Sequence, residues 1–138
     1  MQAVARIRNS KGEHHLDVSM GQHAAAIEIA PKPGGLGSSV SGGEMLMAAL
    51  ATCYCNDVYR EAKKMGVAVT SVEVECHAEF PSEGAAAAGV SYSARIQAEA
   101  SEAQIRELAA RTDRMAEIHN SLRESIAVRL EKVEAVTG

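Results

Sequence analysis

Three short segments rich in apolar residues open the sequence, Ala3 to Arg8, His14 to Met20 and Ala24 to Ala30. Lys11-Gly12 and Gly21-Gln22 separate them, which predicts hairpin turns and an antiparallel meander. The stretch Pro31 to Gly43 (PKPGGLGSSVSGG) is loop by composition. Ser41 and Glu44 then form an S-x-x-E capping box that opens a long helix, Gly42 to Met65, closed by Gly66. Ser71 to Phe80 alternates, with Val72, Val74, Cys76, Ala78 and Phe80 on one face, and so does Val90 to Ala100, with Val90, Tyr92, Ala94, Ile96 and Ala98 inward. Ser101 and Gln104 cap a second helix running to about His119, with an inner stripe of Ile105, Leu108, Ala109, Thr112, Met115 and Ala116. Ser125 to Glu134 reads as a closing strand. The order βββ-α-ββ-α-β, with strands adjacent in sequence, predicts an α+β fold on an antiparallel sheet. No repeat or linker divides residues 1–138, so one domain is expected.

The long helix is uneven. Met45 to Cys55 (MLMAALATCYC) carries no charge, whereas the following NDVYREAKKM is amphipathic. A helix that is apolar all round is buried on all sides. The chain has 138 residues with one Phe, three Tyr and no Trp, so Ala and Val must fill its core. A domain of that size covers such a helix poorly by itself, and a second subunit is expected over part of it.

The formal charge of −4 is spread without a basic stripe, which argues against nucleic acid or an anionic membrane as partner. The N-terminal residues lack the apolar stretch of a secretory signal, and Met45 to Cys55 is far shorter than the ~18 apolar residues of a membrane span. An odd cysteine number fits a reducing cytoplasm better than a disulfide scaffold.

Candidate chemistry centres on Cys53. One stripe of the long helix runs Met47, Ala51, Tyr54, Val58, Ala62, Met65; its neighbour runs Leu46, Leu50, Cys53, Asp57, Arg60, Lys64. Cys53 therefore stands where apolar residues give way to charged ones. Arg60 favours a thiolate at that place, while burial and Asp57 oppose it. The thiol is open to two readings, a small buried hydrophobe or a nucleophile shielded from water. Cys55 points about 200° away from Cys53 on a helix, so the two are not a ligand pair. Cys76 reads as core. The five histidines make no metal pattern, and neither a metal nor a cofactor is expected. His119 reads as a residue at the C-terminal end of the second helix, complementing its dipole, or as a site residue. Glu44 is explained by its cap, although a carboxylate there could also serve a site. The glycine-rich loop lacks the Gly-Lys-Ser/Thr ending of a phosphate loop.

The segment SGGEMLMAALATC, Ser41 to Cys53, resembles the cysteine-helix signature of the OsmC/Ohr family of thiol-dependent hydroperoxide reductases. GVAVTSVEVECHAEF after the helix, and AEIHNSLRESIAVRLE from Ala116 to Glu131, are similar to the corresponding stretches of OsmC-like proteins. The resemblance implies an intertwined homodimer with buried central helices and sites at the interface. It implies that Cys53 is the peroxidatic cysteine, attacking a small organic hydroperoxide, with Glu44, Asp57, Arg60, Ala116 and His119 as candidate lining residues. It also places His119 one helical turn from the second-thiol position, on the side facing Cys53.

Three departures stand out. The resolving-cysteine position holds Ala116; Gly43 stands where the Ohr branch has a glutamate, with Glu44 one place later; and no arginine lies between Gly34 and Gly43. Two functions follow: a one-cysteine peroxidase resolved by an external thiol or by Cys55, or a non-catalytic protein binding a small apolar or thiol ligand in a dimer-interface pocket.

Overall fold

The computed structural model describes residues 1–132 and 134. Its elements are β1 (Ala3–Ser10), β2 (Glu13–Met20), β3 (His23–Ile27), α1 (Gly42–Met65), β4 (Ala68–Glu79), β5 (Ala88–Glu99), α2 (Glu102–Met115) and α3 (Glu117–Glu124). They fall into two compact units, Met1–Leu46 and Met47–Gly138. The fold is α+β with antiparallel sheets, as the alternation and periodicity predict.

In the first unit β1, β2 and β3 form the meander, with Ile7 opposite Leu16 and Leu16 opposite Ile27. Gly12 (φ +82°) and Gly21 (φ +59°) make its turns in the left-handed region that glycine tolerates. The loop folds back onto the first turn: Gly12 N–H donates to the Gly35 carbonyl at 2.9 Å. A Cβ on Gly35 would lie 2.7 Å from the Gly12 nitrogen, so no other residue fits there. Leu16 is the one core residue this unit buries.

The second unit has a true core. β4 and β5 pair as a long hairpin, Val72 opposite Ile96 and Val74 opposite Ala94. Tyr54, Val58 and Ala62 of α1, Val67, and Leu108 of α2 pack together, with Val69, Val72, Val74, Tyr92, Ile96 and Ala98 of the hairpin against them. The apolar stripe of α1 read from the sequence is the one that faces this core. Both capping boxes form: Ser41 N–H donates to Glu44 Oε2 at 2.8 Å, Glu44 N–H to Ser41 Oγ at 3.1 Å, and Ser101 and Gln104 repeat the exchange. Gly66 ends α1 at φ +67°.

Three expectations are corrected. The second helix does not run to His119; the backbone is extended at Ala116 (φ −74°, ψ 111°) and a separate helix, α3, begins at Glu117. The cause is tertiary. The last carbonyls of α2 have no helical partner, and side chains from elsewhere take them: Arg123 donates to Asp113 O, Asn120 to Arg114 O and Arg60 to Met115 O, at 3.2, 3.0 and 3.2 Å. With its end so satisfied, the chain turns and buries Ala116 completely.

The closing strand over Ser125 to Glu134 does not form among the described residues, which exclude Val133. An isolated strand needs a neighbour for its backbone groups, and this segment pairs with none among the described residues; Ile126, Val128 and Leu130 stand exposed. In a single chain Ala48, Ala49 and Thr52 of the segment Met45 to Cys55 stay exposed, the incomplete cover expected of so small a domain. Finally, Phe80, Val90, Ala94 and Met115, expected inward, are exposed; the core packs against the end of the hairpin away from its turn, so Phe80 and Val90 beside the turn stay uncovered.

Candidate active site

Cys53 is half-buried on α1, one turn before Asp57 and two before Arg60, so helical spacing alone sets the three on one side. Its Sγ donates to Asp57 Oδ2 at 3.6 Å. Arg60 Nη1 reaches Asp57 Oδ1 at 3.1 Å and Glu117 Oε1 at 2.9 Å. The break at Ala116 supplies this last partner: it turns the first residue of α3 toward α1. The thiol and the carboxylates of Asp57 and Glu117 thus lie within 4.8 Å of one another.

The electrostatics follow from this crowding. Burial pushes the Cys53 thiol above its ordinary value, and Asp57 and Glu117 push the same way; a hydrogen bond from the Ile118 backbone opposes them. Burial, then the hydrogen bond with Glu117, raises Asp57, while Arg60 holds it down. Asp57 is consequently a carboxylate with an increased appetite for a proton, placed against a thiol that keeps its own. A cation could be drawn to such a trio, but Arg60 already supplies one, and the groups share protons among themselves. The hydrogen bonds and ion pairs the trio makes here are those of an acid–base network.

Arg60 also binds Glu61, Nε to Oε1 at 3.1 Å. Glu61 is fully buried and receives Arg111 Nε at 2.8 Å and Lys64 Nζ at 3.0 Å. Arg111, then Lys64 and Arg60, hold its carboxyl at about 2 despite burial.

The other sequence candidates separate. Glu44 spends its carboxylate on the cap. Ala116 lies fully buried at the α2–α3 junction, beside Glu117 in sequence. His119 sits in the first turn of α3, at the positive end of a helix, so the reading that it complements a C-terminal dipole is overturned. Its ring is 4% exposed, meets Tyr92 edge-on at 4.6 Å and lies 5.9 Å from Tyr54. Neither ring nitrogen has a hydrogen-bond partner among the described residues, so the imidazole does not hold the Cys53 thiol. Cys55 is half-buried at an open cavity with Ala51, Thr52, Asn56 and Val74, and Cys76 is half-buried on β4.

Glu117 and the Ile118 N–H were not legible in the sequence. Helical periodicity continued across Ala116 and hid the turn that aims both at Cys53. The one signal was the resemblance, which marks Ala116 as a position facing the thiol.

An α+β fold with a central cysteine helix and a second segment returning to the thiol is the architecture of OsmC and organic hydroperoxide resistance proteins. The OsmC-like protein family model matches residues 35–131, and the chain belongs to that family. Similar solved structures include an OsmC-like protein from Mycoplasma pneumoniae (18% identity, 89% of each chain, TM-score 0.60). An organic hydroperoxide resistance protein from Elizabethkingia anophelis, with thiocyanate bound, shares 14% identity over 89% of each chain at a TM-score of 0.60. Another from Bacillus subtilis shares 14% identity, covering 89% of this chain and 91% of its own, at 0.54. At these identities the likeness is one of fold. No curated protein matches the sequence. Among the described residues no helix is long and apolar enough to cross a membrane.

Proposed function

We propose that this protein is a one-cysteine thiol peroxidase that reduces small organic hydroperoxides through Cys53. The observation that carries the reading is the Cys53–Asp57 hydrogen bond inside a network closed by Arg60 and Glu117. Asp57 takes the thiol proton as the sulfur attacks the distal peroxide oxygen. The O–O bond breaks, and the departing alkoxide receives that proton, so ROOH and Cys53–SH become ROH and Cys53–SOH. Sulfur is oxidised by two electrons and the peroxide reduced by two. An external thiol then condenses with the sulfenic acid, releasing water, and a second thiol frees Cys53 as the disulfide of the two reductants leaves. The Ile118 N–H and the Arg60 guanidinium stabilise the negative charge that passes through the site. The apolar run Met45 to Ala51 suits an alkyl substrate, and a reducing cytoplasm provides the thiol.

The working unit is a homodimer. Three exposed apolar features support it: Ala48 and Ala49 on the uncharged half of α1, a meander whose one core residue is Leu16, and the segment after α3 with Ile126 (70% exposed), Val128 (95%) and Leu130 (83%). A second copy covers all three. Sedimentation giving a cooperatively folded monomer at micromolar concentration excludes this assembly.

One observation favours a second reading, a family member that binds an apolar or thiol ligand without turnover: burial and two carboxylates keep Cys53 protonated, and Ala116 offers no second thiol. Stopped-flow peroxide consumption decides between them. The peroxidase reading expects consumption by the wild type in the presence of a small thiol and none by Cys53→Ser; equal rates for the two proteins leave only ligand binding.

A further inference from the structure

A second pocket lies in the same unit as Cys53 but does not include it. Leu50, Val90, Tyr92, His119, Leu122 and Arg123 enclose about 210 Å³, which amounts to about seven waters at liquid density. Its walls are apolar except at two points. His119 is almost completely buried, and both ring nitrogens lack a partner among the described residues. A buried polar group left without a partner is disfavoured, so the site is incomplete as it stands. Arg123 is half-exposed and spends Nη1 on Asp113 O and Asn120 Oδ1 and Nη2 on Asp113 Oδ1. Its Nε–H has no acceptor among the described residues.

We propose that this pocket binds a small organic acid, a carboxylate with a short alkyl or aryl body, between His119 and Arg123. The open polar valences fit an acceptor-only ligand. Tyr92 already gives its hydroxyl proton to Asp113, and Asp113 also receives Arg123, so the unspent donors are the Arg123 Nε–H, its second Nη2–H and the imidazole N–H. The apolar body fits against Leu50, Val90, Leu122 and the Tyr92 ring. The field at the imidazole has the right sign as well. The groups facing it are Tyr54 from α1, Tyr92 from β5, Asp113 from α2 and Arg123 from α3. Both tyrosines stay neutral, Tyr54 because burial raises it to about 12 and Tyr92 because burial and Asp113 raise it further. Burial, then Arg123, lowers His119, and Asp113 opposes without prevailing. A bound carboxylate reverses that balance. The imidazole then takes up a proton from solvent and presents N–H donors on both nitrogens, so affinity rises as pH falls toward the imidazole's range while the ligand stays ionised.

The test is a titration of the full-length labelled protein with hexanoate, followed by NMR at the His119 ring nitrogens, with hexanol as the uncharged arm. Hexanoate should shift both nitrogens saturably, bind several-fold tighter at about pH 5.5 than at about pH 7.5, and exceed hexanol by about tenfold or more, as charge-assisted hydrogen bonds do. Leu122→Trp, which fills the cavity from its rim, should abolish the shift. Hexanol binding as tightly as hexanoate, or no His119 response at tens of millimolar hexanoate, overturns the proposal. The wild-type arms decide the matter even where Leu122→Trp fails to fold. The titration needs no chemistry at Cys53, so it reads the same whether or not the chain consumes peroxide.

Discussion

Two ionisable groups on α1, Cys53 and Glu61, stand eight residues apart and are linked through Asp57 and Arg60, yet their surroundings are opposite. Glu61 is a charge buried with every demand met: Arg60, Lys64 and Arg111 converge on it, and its carboxyl is held at about 2. Cys53 is surrounded by groups of the sign its thiolate would carry, so burial, Asp57 and Glu117 all raise it. The first arrangement locks a charge in place; the second withholds one until a partner accepts a proton. The difference teaches that burial alone does not mark a reactive group. What separates the two is whether the neighbours favour the ionised form.

Asp57→Asn is the change expected to strain that contrast most. It removes the acceptor of the thiol proton, and peroxide consumption should fall by about 100-fold, the usual scale of a lost general base. It also removes a charge that raises Cys53, so the midpoint of Cys53 alkylation should move to lower pH. The two readouts move in opposite senses, which a purely structural role for Asp57 does not produce. If turnover follows the alkylation curve upward instead, Asp57 is no base.

Ala116→Cys should act next in size. A thiol at the fully buried α2–α3 junction should join Cys53 in a disulfide after one equivalent of organic hydroperoxide, given Cα atoms within about 7 Å. Turnover on a dithiol should rise by roughly tenfold as the sulfenic acid is captured internally. Peptide mass mapping reads the bridge; its absence while Cys53 remains reduced under excess peroxide removes Cys53 from the role assigned to it.

At Glu61 the expected effects concern stability. A carboxyl held below its ordinary value of 4.5 contributes stability that is present in full above that pH and lost as pH falls through about 2. Glu61→Gln should lower the melting temperature at neutral pH by several degrees, with little further loss on acidification across that window, where the wild type loses stability. A wild-type acid limb preserved unchanged in the variant would assign it to other groups. Smallest of all, Lys64→Ala should cost under about 0.5 kcal/mol in denaturant unfolding, because Lys64 is half-exposed and solvent screens its pair. A larger loss would make Lys64 an equal partner of Arg111.

Much of this contrast is written in local sequence, and part of it is not. The spacing of Cys53, Asp57 and Arg60 places them on one helical side, and the caps at Ser41 and Ser101 fix where two helices begin, so half the site and most elements are legible. Glu61 is not: by periodicity it is one more charge on an amphipathic helix, and only Arg111, fifty residues on, explains how it is buried. The turn at Ala116 is equally hidden, since Arg60 and Arg123 stabilise it over the heads of good helix formers. The tail from Ser125 shows the converse failure. Its alternation is real, but a strand requires a partner, and it pairs with none among the described residues.

The side-chain capping of α2 has a consequence for the order in which the molecule assembles. α3 has eight residues and no side-chain cap at its start, well under the length at which a helix persists alone in water. Its anchorage to α1 is long-range: Arg60 holds Glu117, 57 residues away, and the His119 ring meets Tyr54. Contacts of such separation form only after the intervening chain has been organised. α3 should therefore be the last helix to gain amide protection during refolding and the first to lose it in native-state hydrogen exchange, so the segment that completes the Cys53 network is also the one that opens most readily.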